Sequence, residues 1–384
     1  MKAVEASFDA AVLGAGLAGS SLAGALAGKG WRTLLLDRQT FPRHKVCGEF
    51  LSPEAQSTLQ ALGLYETVAA LKPCLIPQTR MVFDGGAELG LELPGTAWGL
   101  SRYELDGALH RAAGQAGAVL ETGTAVTAIY PGADGYIIEA KRSGKPVRYR
   151  ARTVIAAWGA NAGPGLPGFR PQPRGRRAYL GVKSHFRGLE IEPAVEMYFF
   201  RGGYLGLCPV GDGTVNAAAL LEQGAFAKGS RSVTAYLEEA AGRNPKLALR
   251  LAGAVPVEGT QAAVAPVRLA VRPRTWDTVP LLGDAAAMIA PLCGGGMSMA
   301  LRSSALCAPL ADRYLQGDID IAGWEREYAH AVRSEFDGPL RLGGMLQGLL
   351  GMPAAAGLAK AAAMLAPGLA QGLVRATRLK PFRT

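Results

Sequence analysis

The stretch FDAAVLGAGLAGSSLAGALAGKGWRTLLLDR, Phe8–Arg38, decides the fold. An apolar run, Phe8 to Leu13, leads into Gly14-Ala15-Gly16-Leu17-Ala18-Gly19 and then into an alanine- and leucine-rich segment of helical character. A second apolar run, Arg32 to Leu36, ends in Asp37. Taken alone, such glycines mark no more than a tight turn in an alanine-rich helix. In the order strand, turn, helix, strand, acid, their spacing has a physical purpose. Gly14 permits the tight turn, Gly16 lets a pyrophosphate approach the backbone, and Gly19 lets the helix pack on the strand. The helix start then faces the phosphates with free N–H groups and the positive end of its dipole. Asp37, about 20 residues beyond the glycines, is placed to accept hydrogen bonds from a ribose. The pattern predicts an ADP-containing dinucleotide and leaves open which one.

At 384 residues the chain can bury a large core, and two interleaved domains are expected. With 49% hydrophobic and 19% charged residues, it reads as globular. A net charge of +10 suits an anionic cofactor, an acidic substrate or an anionic membrane surface. Without a dense basic run interleaved with aromatics, nucleic acid is not an expected partner. The five cysteines, Cys47, Cys74, Cys208, Cys293 and Cys307, are odd in number, scattered and without a CxxC pair. That predicts a reducing compartment and neither a zinc site nor a disulfide framework. The opening residues lack the basic and apolar regions of an export signal, so the expected location is cytoplasmic. No Ser/His/Asp set and no metal-ligand spacing supports hydrolysis or metal chemistry.

Downstream, residues 53–70 show helical spacing, Arg80 to Leu93 reads as strands around Gly85-Gly86, and Ser101 to Ala116 reads as a helix. Ser101 is its expected N-cap, with Glu104 closing a capping box. Strand-like runs follow near Ala118 to Tyr130, Gly135 to Arg150 and Thr153 to Ala157. They dominate Ala178 to Val271, interrupted by one helix at Arg231 to Ala241. The expected fold is α/β: a Rossmann-like cofactor domain (1–75, 100–165 and 272–335), a mostly antiparallel β domain for the substrate (76–99 and 166–271), and a helical C-terminal segment (336–384).

A second glycine loop lies in VPLLGDAAAMIAPLCGGGMSMALRSSALCA, Val279–Ala308. An apolar strand ends in Gly283-Asp284, and Pro291 and Gly294-Gly295-Gly296 lead into a helix from about Met297. Asp284 is placed to hydrogen-bond a polyol chain, and the helix start to stabilise negative charge on an electron-rich ring.

Together, the Gly14/Gly16/Gly19 turn with Asp37, Arg102 in SRYELDGAL, and GDAAAMIAPLCGGGM resemble the FAD-dependent oxidoreductases of the para-hydroxybenzoate hydroxylase fold. That superfamily includes group A aromatic monooxygenases, flavin-dependent halogenases and geranylgeranyl reductases. The resemblance spans most of residues 5–310. It implies an FAD-binding set of Gly14, Gly16, Leu17, Ala18, Gly19, Asp37, Arg38, Arg43, Cys47, Gly48, Arg102, Val126, Gly283, Asp284, Pro291, Gly294, Gly295, Gly296 and Met297. Three features pull toward the reductase and halogenase side. Pro42-Arg43-His44-Lys45-Val46-Cys47-Gly48 is similar to a stretch near the flavin in the reductases. Tyr204, Pro209 and Asn216 match their strand-turn-strand signature, with Gly206 where tryptophan and Cys208 where phenylalanine are expected. Ala287 stands where aromatic hydroxylases carry histidine.

Losing two aromatic side chains predicts an enlarged or reshaped pocket, with Cys47, Tyr204 and Cys208 as candidate pocket residues and no assigned catalytic group. His44 and Lys45 read as helpers for a phosphate or carboxylate headgroup or as a solvated basic turn, and His185 as a surface or packing residue. NAD(P)H is the implied electron donor. Trp158-Gly159, in place of the hydroxylases' Asp-Gly, argues against direct reduction and leaves room for a separate donor.

The leading expectation is a monooxygenase acting on a hydrophobic, ring-containing metabolite through reduced flavin and dioxygen. The alternatives are a reductase of isoprenoid double bonds and a flavin-binding protein without turnover. The halogenase signature Gly-Trp-x-Trp-x-Ile-Pro is absent. From Leu342 to Val374 the only charged residue is Lys360, and prolines and glycines interrupt the segment. Three roles fit it: an apolar cap over the substrate mouth, a segment resting peripherally on a membrane, or a helix pair packed on the core.

Overall fold

The computed structural model describes residues 7–169, 178–226, 232–270, 272–350 and 367–382. The chain opens with β1 (Ser7–Leu13), α1 (Leu17–Ala27) and β2 (Thr33–Leu36), and continues through β3 (Phe50–Leu51), α2 (Ala55–Ala61) and α3 (Tyr65–Ala69). Then come β4 (Cys74–Val82), β5 (Glu88–Gly99) and α4 (Arg102–Gln115), followed by β6 (Val119–Glu121), β7 (Thr124–Gly132), β8 (Gly135–Arg142) and β9 (Lys145–Ala156). Four long strands come next: β10 (Tyr179–Arg187), β11 (Ala194–Phe200), β12 (Gly203–Gly211) and β13 (Thr214–Glu222). The chain proceeds through α5 (Val233–Gly242), α6 (Pro245–Leu251) and the short strands β14 (Val255–Pro256), β15 (Ala262–Val267), β16 (Trp276–Asp277) and β17 (Val279–Pro280). It closes with α7 (Gly296–Gln316), α8 (Ile321–Leu350) and α9 (Pro367–Ala376).

Two large sheets result. The first runs β6-β2-β1-β9-β8-β7, parallel from β6 to β9 and antiparallel beyond. The second runs β14-β10-β13-β12-β11-β4-β5-β3, with β15 also on β10, and is antiparallel apart from the β11/β4 pair. This is the expected α/β architecture, a Rossmann-like sheet beside a separate mixed β sheet, with helices at the C-terminal end. β1 and β2 are almost wholly buried, which is why they read as continuous apolar runs rather than alternating ones. β12 and β13 meet through Asp212-Gly213, both at positive φ (50° and 65°), the backbone that a two-residue hairpin of this twist requires.

Several sequence expectations are corrected here. Residues 53–70 form two helices, because Gly63 turns the backbone to φ 68°. The helix expected at Arg231 to Ala241 starts at Val233 on the Ser232 cap and is followed by an unforeseen α6, whose first N–H groups are held by Asn244 Oδ1. Arg231 and Val271 lie outside the described residues. The strand expected before Gly283 shrinks to β17 and a single parallel bridge, Leu281 to Ala156.

On α8, Trp324, Tyr328, Val332, Phe336 and Leu340 recur every fourth residue and are all buried. That stripe holds α8 on the helical layer, each side chain contributing about 1.5–3 kcal/mol by removal from water. Tyr328 donates its hydroxyl hydrogen to Leu281 O at 3.0 Å, so α8 also fixes the segment that carries the second glycine loop.

Candidate active site

In the first glycine turn, Gly14 and Gly19 are tightly enclosed by backbone. Gly14 takes φ 108°, and a Cβ there would lie 2.5 Å from Ala157 O; one on Gly19 would lie 1.7 Å from Gly14 O. Gly16 differs: its nearest neighbour beyond the adjoining chain is Arg102 Nη2, at 4.0 Å. Two of the glycines are thus needed by the fold, and the third leaves a vacant approach to the backbone. Asp37 closes the turn from the end of β2. Its Oδ2 accepts from Ala15 N (2.8 Å) and Arg43 Nη2 (3.2 Å), and its Oδ1 accepts from Gln39 N (2.8 Å). Each oxygen retains acceptor capacity for a hydroxyl.

α1 starts after Gly16 and α7 after Gly295, neither with a side-chain cap. The two are locked together: Ser304 Oγ donates to Ala18 O (2.6 Å), and Gly283 N donates to Ser303 Oγ (2.9 Å). Uncapped N–H groups of two helices therefore border one cavity of about 350 Å³. Such a pair suits a ligand with anionic phosphates at one end and an electron-rich ring at the other.

That cavity is lined by Gly16, Leu17, Ala18, Cys47, Gly48, Arg102, Gly283, Asp284, Pro291, Gly294, Gly296 and Met297. Gly14, Gly19, Asp37, Arg38, Arg43, Val126 and Gly295 are not on its lining. Val126 packs against the core of the first sheet, and Arg38 is exposed. Toward the second sheet the wall is formed by Thr79, Met81, Leu89, Leu91, Val195, Met197 and Phe199. Tyr204 and Cys208 stand behind it. The Tyr204 hydroxyl oxygen accepts from Leu292 N at 2.9 Å, and Cys208 is buried beneath the Glu49 carbonyl. A Cβ on Gly206 would meet Met197 Sδ at 3.1 Å, so Met197 occupies space that the missing tryptophan would release.

A buried charged cluster that the motifs did not point to lies beside this cavity. Glu49, at φ 55°, accepts from Lys183 Nζ (3.1 Å), from the Arg102 backbone N–H (2.9 Å) and from His185 Nε2 (2.6 Å). Lys183 Nζ also lies 2.9 Å from His185 Nε2 and 3.3 Å from His44 Nδ1. His44 stacks on Tyr103 with ring centroids 4.8 Å apart. Burial alone would raise the Glu49 carboxyl, but the His185 hydrogen bond and the Lys183 charge outweigh it and hold it below its ordinary value. Burial and the neighbouring Lys183 and His185 bring His44 down to about 4. His185 is therefore buried in a polar network and not on the surface, and His44 is half-buried against it. The readable signal was Lys183 and His185 two residues apart on one strand, hence on one face.

The cluster also changes how α4 begins. Ser101 Oγ accepts from Tyr103 N (3.2 Å), but Glu104 makes no hydrogen bond among the described residues, so the expected box does not close; Glu49 accepts from the Arg102 N–H, one residue into the helix. The Arg102 guanidinium is paired with Asp106 through Nε (2.7 Å) and Nη2 (2.8 Å).

At the opposite wall, Leu346 and Leu349 of α8, Leu373 and Val374 of α9, and Thr377 and Arg378 beyond it line the cavity. The described part of the C-terminal segment both lines the cavity and packs on the core, through Phe336, Leu340 and Leu379. Residues 351–366, including Lys360, lie outside the described residues. No described helix is long and apolar enough to cross a membrane.

A FAD-dependent oxidoreductase is the class that this fold and glycine-turn site define. The chain belongs to the FAD binding domain family, whose profile matches residues 7–318. It is 28% identical over 351 residues to digeranylgeranylglycerophospholipid reductase 2 of Methanopyrus kandleri, covering 86% of this chain and 83% of that protein. It is 28% identical over 330 residues to menaquinone reductase of Mycobacterium tuberculosis, covering 80% and 78%. With conditioned medium factor receptor 1 of Dictyostelium discoideum it shares 26% identity over 79% of this chain, which spans 63% of that longer protein. Among solved structures, the flavin-dependent brominase Bmp2 has the same fold, with a TM-score of 0.76 at 19% identity over 97% of this chain and 93% of that one.

Proposed function

We propose that the enzyme reduces carbon-carbon double bonds of an isoprenoid chain, in preference to oxygenating a ring-containing metabolite. The observation that carries this reading is the wall of the cavity on the second sheet. Among the described residues Thr79 is its one polar side chain, and its hydroxyl hydrogen is already donated to Val195 O at 3.2 Å. A ring substrate bearing hydroxyls would leave them unpaired against this wall, whereas a hydrocarbon chain needs no partner there. The reductase names of two relatives favour the same choice. Met345, Leu349 and Leu373 remain exposed near the α8 and α9 wall, where a chain carried by a lipid would pass in.

Bound FAD, once reduced, would supply a hydride to one carbon of the double bond, the other carbon taking a proton. The Gly14–Gly19 turn and the start of α1 would hold the pyrophosphate, with Arg38, Arg43 and Val126 assigned to the adenosine end. Asp37 accepts from ribose hydroxyls and Asp284 from the polyol chain. The Gly294–Met297 backbone, Cys47, Gly48 and Arg102 would hold the ring. The apolar wall excludes water from the reacting carbons. NAD(P)H remains the simplest reductant; with Trp158 at the usual acidic position, a separate donor protein fits this chain better.

The test is to reduce the purified flavoprotein without oxygen and add a geranylgeranyl-bearing phospholipid. Reoxidation of the flavin with hydrogen gained by the lipid is the expected result. Reoxidation only on adding dioxygen, with oxygen recovered in a ring-containing product, would restore the monooxygenase reading. Asp37→Ala and Asp284→Ala enzymes that kept full flavin content would overturn the residue assignments.

A further inference from the structure

Of the two arginines on the cavity lining, Arg102 is paired with Asp106. Arg378, on the opposite wall, is not. Its Nε and Nη1 are buried and have no hydrogen-bond partner among the described residues. Its guanidinium lies 5.3 Å from the centroid of the Phe50 ring, and its neighbours on the lining include Cys293, Gly294, Leu373 and Val374. Burial pushes its pKa down, with Glu54 and Cys293 acting in the other direction. Neither supplies a counter-ion in contact. Glu54 accepts from Ser52 Oγ at 2.7 Å, and the Cys293 thiol is pushed by burial up to about 12 and is therefore uncharged.

The tail that carries Arg378 is held firmly. Arg302, buried within α7 and paired with Glu335, donates through Nη2 to Lys380 O at 2.8 Å and stacks on the Phe382 ring at 4.7 Å. Phe382 N donates to Ser57 Oγ at 2.8 Å, and Leu379 is buried in the core. A guanidinium fixed in this way, charged at any working pH and facing an apolar chamber, is a rigid fork with its donors free. Oxyanions satisfy such a fork with paired, charge-assisted hydrogen bonds.

We propose that Arg378 recognises an oxyanion, a phosphate or carboxylate, at the end of the otherwise apolar ligand that fills the chamber. This rests on the reading of the chamber as an isoprenoid site and adds that the substrate is amphipathic, with its charged end at the α9 wall.

The test uses the FAD-loaded enzyme and three probes: geranylgeranyl phosphate, geranylgeraniol and inorganic phosphate. Calorimetry should show the phosphate ester bound roughly tenfold or more tightly than the alcohol. Arg378→Met should abolish that preference while leaving affinity for the alcohol unchanged. Arg378→Lys, which keeps the charge but not the fork, should reduce the preference without removing it, and it decides the matter if the methionine variant fails to fold. Equal affinities in the wild type, or a preference that survives Arg378→Met, would overturn the assignment. Inorganic phosphate binding as tightly as the ester would overturn the amphipathic ligand. The two proposals separate cleanly: an Arg378-dependent preference for a phosphate ester whose chain is never reduced leaves recognition standing and removes the reductase. Reduction indifferent to the headgroup does the reverse.

Discussion

Lys183 Nζ lies 3.1 Å from Glu49 Oε1, and neither side chain reaches solvent. The contact joins β10 of the second sheet to the segment between β2 and β3, whose other bonds reach the start of α4 through Arg102 N. The pair thus ties the substrate-side sheet to the first turn of a helix that borders the cavity.

Removing one partner would strand the other. Lys183→Met is expected to cost about 3–5 kcal/mol, because it leaves the Glu49 carboxylate buried without its cation. Adding Glu49→Gln to that variant should recover part of the loss. Urea titrations of the single and double variants check this, and a double variant less stable than Lys183→Met would refute it.

Acid should weaken the fold through the same cluster. The folded-state pKa of His44, about 4, lies below the ordinary 6.5, so the unfolded chain binds more protons between those values. Stability therefore rises with pH across that window and falls as pH drops through it. Glu49, held below its ordinary value, extends the loss to lower pH. Denaturant midpoints measured from about pH 4 to 6.5 should fall with acid. The slope should be shallower in His44→Gln; an unchanged slope would mean that His44 does not titrate as its surroundings imply.

The glycines of the first turn should separate folding from cofactor binding. Gly14→Ala and Gly19→Ala place a Cβ against backbone atoms and are expected to lose soluble folded protein. Gly16→Ala meets nothing closer than 4.0 Å, so its FAD-free form should melt as the wild type does while binding FAD much more weakly. Thermal melts with measured flavin content distinguish the cases, and normal flavin content in Gly16→Ala would sink the pyrophosphate assignment.

Arg302 should control the C-terminal tail. Arg302→Met removes its bonds to Thr58, Glu335 and the Lys380 carbonyl. Limited proteolysis is expected to cut beyond α9 far faster than in the wild type. Equal cleavage rates would show that the tail is held elsewhere.

The sequence by itself determined the dinucleotide turn, the two glycine loops and the order of most strands and helices. These are local matters: Gly14 and Gly19 answer to backbone geometry, and the buried runs of β1 and β2 are visible as apolar stretches. Spacing within the turn sets Gly19 against Gly14 O, whereas Gly14 is pressed by Ala157 of a distant segment. Tertiary structure alone decided what stands next to what. Glu49 and His185 lie 136 residues apart, and no periodicity in either segment announces that they meet. Met197 filling the space beside Gly206, and an unpaired Arg378 brought to the cavity by a tail anchored on Arg302, likewise depend on long-range packing. Charges and volumes at a site are set by contacts between distant segments, and only closure of the chain around its cores selects those contacts.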